Sequence, residues 1–175
     1  CTCAACRKKM LEKGLDFGDE AQVRAFAKQS IDRFKQKMSA FVREHNDRCT
    51  IFYNAGHVGP CTKDSKEAYT HFELESLPSG GWGYDFLWSS AAYARSLQRT
   101  VLYMTGRFQA GWGDFGGYKG KASLENDVFD ALCNNLLPSV GDHMHPAKML
   151  SRDLYRDIGD IFARVRAYES YTRGA

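Results

Sequence analysis

Two glutamates and a histidine alternate with apolar residues in the segment 70–75, Thr-His-Phe-Glu-Leu-Glu. A period of two predicts a β-strand that presents His71, Glu73 and Glu75 on one face and its apolar residues on the other. Carboxyl groups that point into a protein are costly unless they are paired or functional. Glu73 is therefore either neutralised, by His71 or Arg107, or takes part in chemistry. Glu75 is nearer the end of the strand and is the stronger candidate for an acid, a base or an acceptor of substrate hydroxyls.

Polar residues also follow three further predicted strands, at 50–54, 100–104 and 138–142. Barrel enzymes place their chemistry at the carboxyl ends of parallel strands, so these residues are candidates for binding a substrate. They are Asn54, His57, Arg107, Asp114, Asp142, His143 and His145.

Simpler interpretations of these polar residues stay open. Asn54 and His57 could hold a loop, and Arg107 could pair with a carboxylate inside the barrel. The spacing of Asp142, His143 and His145 invites a metal site, but no further ligand on a neighbouring strand supports one. We therefore favour contacts between these residues and a substrate.

Aromatic residues concentrate in the predicted loops. Trp82 and Trp112 each lie between glycines, which allow a ligand to approach the backbone closely, and Tyr84 belongs to the same loop as Trp82. Aromatic faces stack on the C–H faces of sugar rings, whereas carboxylates and imidazoles bind the hydroxyls. The alternative is that these rings pack between loops.

Three of the six cysteines, Cys1, Cys3 and Cys6, fall at the start of the sequence. This clustering favours a structural zinc or reduced thiols over a disulfide framework. A structural zinc needs four ligands, so a fourth would come from elsewhere. No cofactor is expected to be required for catalysis.

The order of the predicted elements indicates the fold class. Asp19 can cap a long helix at 19–46, with Gln22 as its partner. Further helices are predicted at about 86–98, 123–136 and 151–169. Strands that alternate with helices predict a parallel sheet, and four of them equal half of an eight-stranded barrel. The predicted fold is α/β, the C-terminal half of a (β/α)₈ TIM barrel, and residues 1–175 form a single partial domain. A doubly wound sheet is the rival, but no glycine-rich phosphate loop follows any predicted strand.

The charge balance is mild, with 24 Lys and Arg against 21 Asp and Glu and a net charge of +3. No nucleic-acid or membrane partner is therefore expected. The expected partners are a carbohydrate substrate and the N-terminal half of the barrel, while self-association is left open. Any signal peptide would precede Cys1, so the cellular location is left open as well.

Several longer motifs resemble a group of hypothetical glycosyl hydrolases that are relatives of the α-L-fucosidases and the barrel β-galactosidases. The motifs are His71-Phe-Glu-Leu-Glu-Ser-Leu-Pro78, Gly80-Gly-Trp-Gly-Tyr-Asp85, Met104-Thr-Gly-Arg-Phe108, Trp112-Gly-Asp-Phe-Gly-Gly117, Ser139-Val-Gly-Asp142 and His145-Pro146. The resemblance covers essentially the whole chain. The spacing of Cys1, Cys3 and Cys6 also resembles a zinc-binding cluster of barrel β-galactosidases.

This resemblance implies a TIM barrel that hydrolyses O-glycosidic bonds with two carboxyl groups. In the related barrels a catalytic carboxylate follows strand four, shortly before this chain begins, so one of the pair is expected upstream. Glu75 or Glu73 would be the other, and the chain by itself is expected to be inactive. Two alternatives stay open: a non-catalytic carbohydrate-binding barrel, and a metal-dependent barrel hydrolase or isomerase.

Overall fold

A computed structural model describes residues 2–55, 58–114 and 116–172. The chain forms two compact units, Cys1–Tyr53 with Pro60–Tyr69, and Asn54–Gly59 with Thr70–Ala175. Within the described ranges, no helix combines the length and the apolar character that crossing a bilayer requires.

The first unit is helical. It contains α1 (Ala4–Glu12), α2 (Glu20–His45) and a 3₁₀ helix at Pro60–Ala68. The predicted cap of the long helix is confirmed, because the Asp19 carboxylate accepts hydrogen bonds from the backbone N–H groups of Ala21 at 2.8 Å and Gln22 at 3.3 Å. The Gln22 side chain donates to the same carboxylate, and this bond and the two backbone bonds lower the pKa of Asp19.

The second unit is built on a parallel three-stranded sheet. Its strands are β1 (His71–Glu75), β2 (Thr100–Gly106) and β3 (Leu137–Gly141), in the order β1-β2-β3. The helices α3 (Phe86–Ser96), α4 (Lys121–Cys133) and α5 (Arg152–Thr172) follow the strands in turn. The predicted alternation of strands and helices is thus confirmed for this unit.

One face of the sheet packs against α3 and α4, and it carries the buried apolar residues of β1 and β2. Phe72 and Leu74 of β1 and Val101 of β2 are almost completely buried there. Burial of a side chain of this size stabilises the fold by about 1.5–3 kcal/mol. The opposite face carries His71, Glu73 and Glu75 and stays partly exposed. The alternation predicted for β1 therefore holds.

The sequence predicted a strand at 50–54, and the structure corrects this. Residues 50–55 belong to no strand in the described part of the chain, although Ile51 is buried. A strand exists only through hydrogen bonds to a neighbour. A short apolar run is therefore equally compatible with an extended segment, and the described residues form three strands where four were expected.

The structure also contains a helix that the sequence did not predict. Cys3 is the residue before α1, and Cys6 lies in the first turn of that helix. The helix has almost no amphipathic pattern, and Met10 is its one buried residue, so periodicity gave little signal.

Candidate functional site

Two loops lie at the carboxyl edge of the sheet and contact each other. They are the residues 76–85 after β1 and the residues 107–119 after β2, of which Phe115 lies outside the described residues. The Ser79 hydroxyl donates to the backbone carbonyl of Gln109 at 2.7 Å. A Cβ on Gly80 would lie 2.2 Å from the carbonyl oxygen of Ala110, so only glycine permits this approach. The loops thus form a continuous rim.

Arg107 and Asp142 form an ion pair at this rim. The Arg107 Nε donates to Asp142 Oδ1 at 2.6 Å, and their side chains are only 14% and 11% exposed. Arg107 extends the sheet, because its backbone N–H donates to the carbonyl of Gly141 at 3.0 Å. Its Nη1 also donates to the carbonyl of Gly117 at 3.2 Å, which ties the arginine to the far side of its own loop. Arg107 therefore pairs with a carboxylate, and the partner is Asp142.

His143 lies against the same arginine. Its ring stacks on Phe108 with centroids 5.1 Å apart and an interplanar angle of 16°. The Nη2 of Arg107 lies 3.1 Å from His143 Nε2. Phe108 itself is 1% exposed, so the histidine stacks on a ring that is otherwise buried. The geometry leaves the imidazole 19% exposed at the rim.

Trp112 lies over the ends of β2 and β3. Gly106 and Gly141 are register partners in the sheet. A Cβ on Gly141 would lie 2.6 Å from the Trp112 ring, and a Cβ on Gly106 would lie 3.0 Å from it. The two glycines therefore allow the indole to rest on the backbone. Trp112 contacts Phe108 edge-on, with centroids 5.3 Å apart, yet it keeps 39% of its surface exposed.

Asp114 was predicted to bind a substrate, and the structure places it in a turn of the 107–119 loop. Its Oδ1 accepts a hydrogen bond from the backbone N–H of Gly117 at 2.9 Å. A Cβ on Gly117 would collide with this carboxylate at 1.9 Å, which explains the glycine. One oxygen of this carboxylate thus stabilises the turn of the loop.

The polar face of β1 carries the two predicted catalytic carboxylates. The Oε1 of Glu73 lies 3.3 Å from Nε2 of His71, and His71 Nδ1 lies 3.0 Å from the hydroxyl of Thr70. Of the two neighbours considered for Glu73, His71 is therefore the one at hydrogen-bond distance. Within the described ranges, Glu75 has no ion-pair partner, and it is half-buried at the end of the strand.

A cavity of about 470 Å³ opens beside the Arg107–Asp142 pair. Its polar lining includes His143, His145 and Tyr118. Burial, and then the hydrogen bond that its hydroxyl donates to Asp157 at 3.0 Å, raise the pKa of Tyr118. The cavity also has an apolar lining that sequence analysis missed, namely Met149, Leu150 and Leu154. The amphipathic pattern of α5 could have indicated Leu154, whereas the other two lie in an irregular segment.

The remaining predicted residues have more varied surroundings. Trp82 packs edge-on against Phe86, with centroids 4.9 Å apart, so it partly packs between elements as the alternative interpretation held. Tyr84 is 50% exposed. Asn54 is exposed, and His57 lies outside the described residues.

The predicted zinc ligands lie at the start of the chain. Cys1 lies outside the described residues, and the backbone and the thiol of Cys6 hydrogen-bond Cys3 and lower its pKa. In the described part of the chain, no three His, Cys, Asp or Glu residues come close enough to hold a metal ion. Cys3 and Cys6 alone supply too few ligands for a structural zinc.

The fold and the sequence are similar to part of a known glycosidase. No protein-family profile and no curated protein matches this chain. Among solved structures, it is similar to α-L-fucosidase isoenzyme 2 from Paenibacillus thiaminolyticus, with a TM-score of 0.93 and 35% sequence identity. The similarity covers 99% of this chain and 26% of that chain, so this chain spans about a quarter of the length of the fucosidase. The chain is therefore fucosidase-like in sequence and in fold over nearly its whole length.

Proposed function

We propose that this chain is part of a glycoside hydrolase of the α-L-fucosidase type. The observation that carries the proposal is the exposed Trp112 ring at the carboxyl edge of the sheet, in the same loop as Arg107, whose pair with Asp142 lines an open cavity. Sugar sites combine an aromatic face with fixed polar groups, and this rim offers both. The 35% identity to an α-L-fucosidase supports the same class of substrate.

The polar groups at the rim suit a neutral sugar. Asp142 has one oxygen bound to Arg107 at 2.6 Å, which leaves its second oxygen for a sugar hydroxyl. The imidazoles of His143 and His145 and the hydroxyl of Tyr118 line the same cavity and can donate or accept. Because these side chains are held by the loops and by each other, little conformational freedom is lost on binding.

In this proposal the chemistry needs two carboxyl groups on either side of the scissile bond. Glu75 is the candidate within this chain, because it is half-buried at the end of β1 and unpaired within the described ranges. Glu73 is the weaker candidate, since His71 occupies one of its oxygens at 3.3 Å. The other carboxylate of the pair would come from outside this chain, in a (β/α)₈ barrel of which the three strands are a part.

The alternative function is a barrel that binds a carbohydrate without cleaving it. The His71–Glu73 pair favours it, because a carboxylate that a neighbouring side chain binds can be retained without a catalytic role. The relation to β-galactosidases and the zinc at Cys1, Cys3 and Cys6 stay predictions from the sequence.

The test is hydrolysis of 4-nitrophenyl α-L-fucoside by the full-length protein. We expect turnover, and we expect Glu75→Gln to reduce kcat by at least about a hundredfold, the usual contribution of general acid–base catalysis. Glu125→Gln is the control, because Glu125 pairs with Arg164 between α4 and α5, away from the rim.

The binding part of the proposal has its own matched pair of variants. Trp112→Ala should weaken fucose binding by about tenfold or more, the loss of about 1.4 kcal/mol. Trp88→Ala should leave it unchanged, because Trp88 is equally an exposed tryptophan, at 56%, but belongs to α3 and not to either loop of the rim. Fucose binding without hydrolysis would favour the non-catalytic alternative, and absence of both would refute the proposal.

A further inference from the structure

A charged pair lies completely inside the second unit. The Nζ of Lys119 donates to Asp127 Oδ2 at 2.5 Å, and both side chains are 0% exposed. Thr105 completes the cluster, since its hydroxyl donates to the same oxygen at 2.7 Å and accepts from Lys119 at 3.2 Å. Burial, and then the charge of Asp127, raise the pKa of Tyr103 on the same face of β2.

A pair of this kind is hard to explain by stability alone. Removing two charges from water is costly, and their attraction often does no more than offset that cost. The second oxygen of Asp127, Oδ1, has no hydrogen-bond partner in the described part of the chain, so the pair is not even fully satisfied. Buried ionic groups are retained in some proteins because they specify one conformation.

The position of Lys119 shows which conformation that would be. Lys119 is the last residue of the 107–119 loop, and its backbone N–H donates to the carbonyl of Arg107 at 2.8 Å, which closes the loop. Its side chain then reaches into the core and binds Thr105 on β2 and Asp127 on α4. The two ends of the loop are thereby fixed to the sheet and to the following helix.

The residues that this loop carries belong to the rim described above. Arg107 opens the loop and binds the carbonyl of Gly117 near its end at 3.2 Å. Trp112 projects from its middle over the strand ends. Any change in where the loop closes therefore moves both the arginine and the indole.

We propose that Lys119 and Asp127 are positioning residues that hold the 107–119 loop in the shape that presents Arg107 and Trp112 to a sugar. The proposal rests on the proposed function for the nature of the ligand. The role of the pair in holding the loop does not depend on it.

The test compares the full-length protein with the double variant Lys119→Met/Asp127→Asn. This variant removes both charges together, so no isolated charge stays buried and the fold is expected to persist. Hydrogen exchange, measured peptide by peptide, reports the loop without any ligand. Exchange in peptides from 107–119 should become faster by about tenfold or more, while peptides from α5 should change by less than about twofold.

The affinity for fucose is the second measurement made on the double variant. Fucose, measured by calorimetry, should bind the double variant about tenfold more weakly, while its melting temperature stays close to that of the unmodified protein. Arg164→Met is the control, because Arg164 is 62% exposed and pairs with Glu125 between α4 and α5, away from the rim. It should change neither the exchange of the loop nor the affinity.

Each outcome decides something. Faster exchange confined to the loop supports the positioning role even if fucose fails to bind the unmodified protein, and that failure would count against the proposed function alone. Unchanged exchange in a folded double variant would overturn the positioning role. A double variant that does not fold would overturn it as well, because the pair would then act on the whole fold rather than on the loop.

Discussion

A methyl group at position 141 provides a direct test of how the rim is built. Gly141→Ala would place a Cβ 2.6 Å from two atoms of the Trp112 ring and 3.4 Å from the carbonyl oxygen of Thr105. Ordinary contacts between carbon atoms lie at about 3.5–4.0 Å, so the ring must retreat by about 1 Å. Because the indole is 39% exposed, it can move towards solvent instead of distorting the sheet.

The expected cost follows from this geometry. A methyl group added to a packed site destabilises a fold by about 1–3 kcal/mol. Because Trp112 can move towards solvent, we expect Gly141→Ala to cost an amount near the lower end of this range. In a Trp112→Ala background the ring is absent, and the same Gly141→Ala change should cost less than about 0.5 kcal/mol. The coupling between the two positions is therefore expected to be about 1 kcal/mol or more.

Chemical denaturation of the four proteins in this cycle measures the coupling. Gly111→Ala serves as the control, since a Cβ there would meet nothing within 4 Å in the same loop. We also expect Gly141→Ala to weaken fucose binding by about tenfold, because the displaced indole no longer rests on the strand ends. Equal destabilisation by Gly141→Ala with and without the indole would refute this account of the rim.

Three further predictions concern single residues. Gln98→Gly should stabilise the folded protein by about 0.5–1 kcal/mol in thermal unfolding, because Gln98 has a φ of 57°, which glycine adopts without strain. Asn135→Gly should be nearly neutral, because asparagine tolerates its φ of 55°. Asp130→Asn should stabilise at pH 7 by less than about 1 kcal/mol after solvent screening. Burial, and then the charge of Asp127, raise the pKa of Asp130 above 3.8, so the ionised carboxylate opposes folding. The stability gained by Asp130→Asn, measured by melting temperature, should therefore vanish as the pH falls below that value. Arg107→Met should weaken fucose binding by at least about tenfold in calorimetry, since it leaves Asp142 without its 2.6 Å partner; unaltered affinity would exclude the pair from the site.

Local sequence patterns were sufficient to predict the structure of a segment wherever that structure depends on the segment alone. The period of two in β1 predicted which residues face the helices, because successive side chains of a strand point to opposite faces. Asp19 was predicted to cap α2, because the capping oxygen and the backbone N–H groups that it accepts from lie within three residues. The polar ends of β2 and β3 also meet at one rim, as parallel strands require.

These local patterns could not predict pairings between distant parts of the chain. The sequence placed Arg107 and Asp142 among the candidates, but it could not show that they bind each other across 35 positions. The same limit explains the false strand at 50–54, since a ladder depends on a neighbour and not on the run of residues itself.

The sequence by itself determined the types of residue at the rim and the alternation of strands and helices, because both follow from spacing along one segment. Only the tertiary structure decided that Trp112 rests on two paired glycines and that Lys119 closes its loop on Asp127 inside the core. These arrangements depend on packing in three dimensions, where a contact of a few ångströms joins residues that the chain keeps far apart.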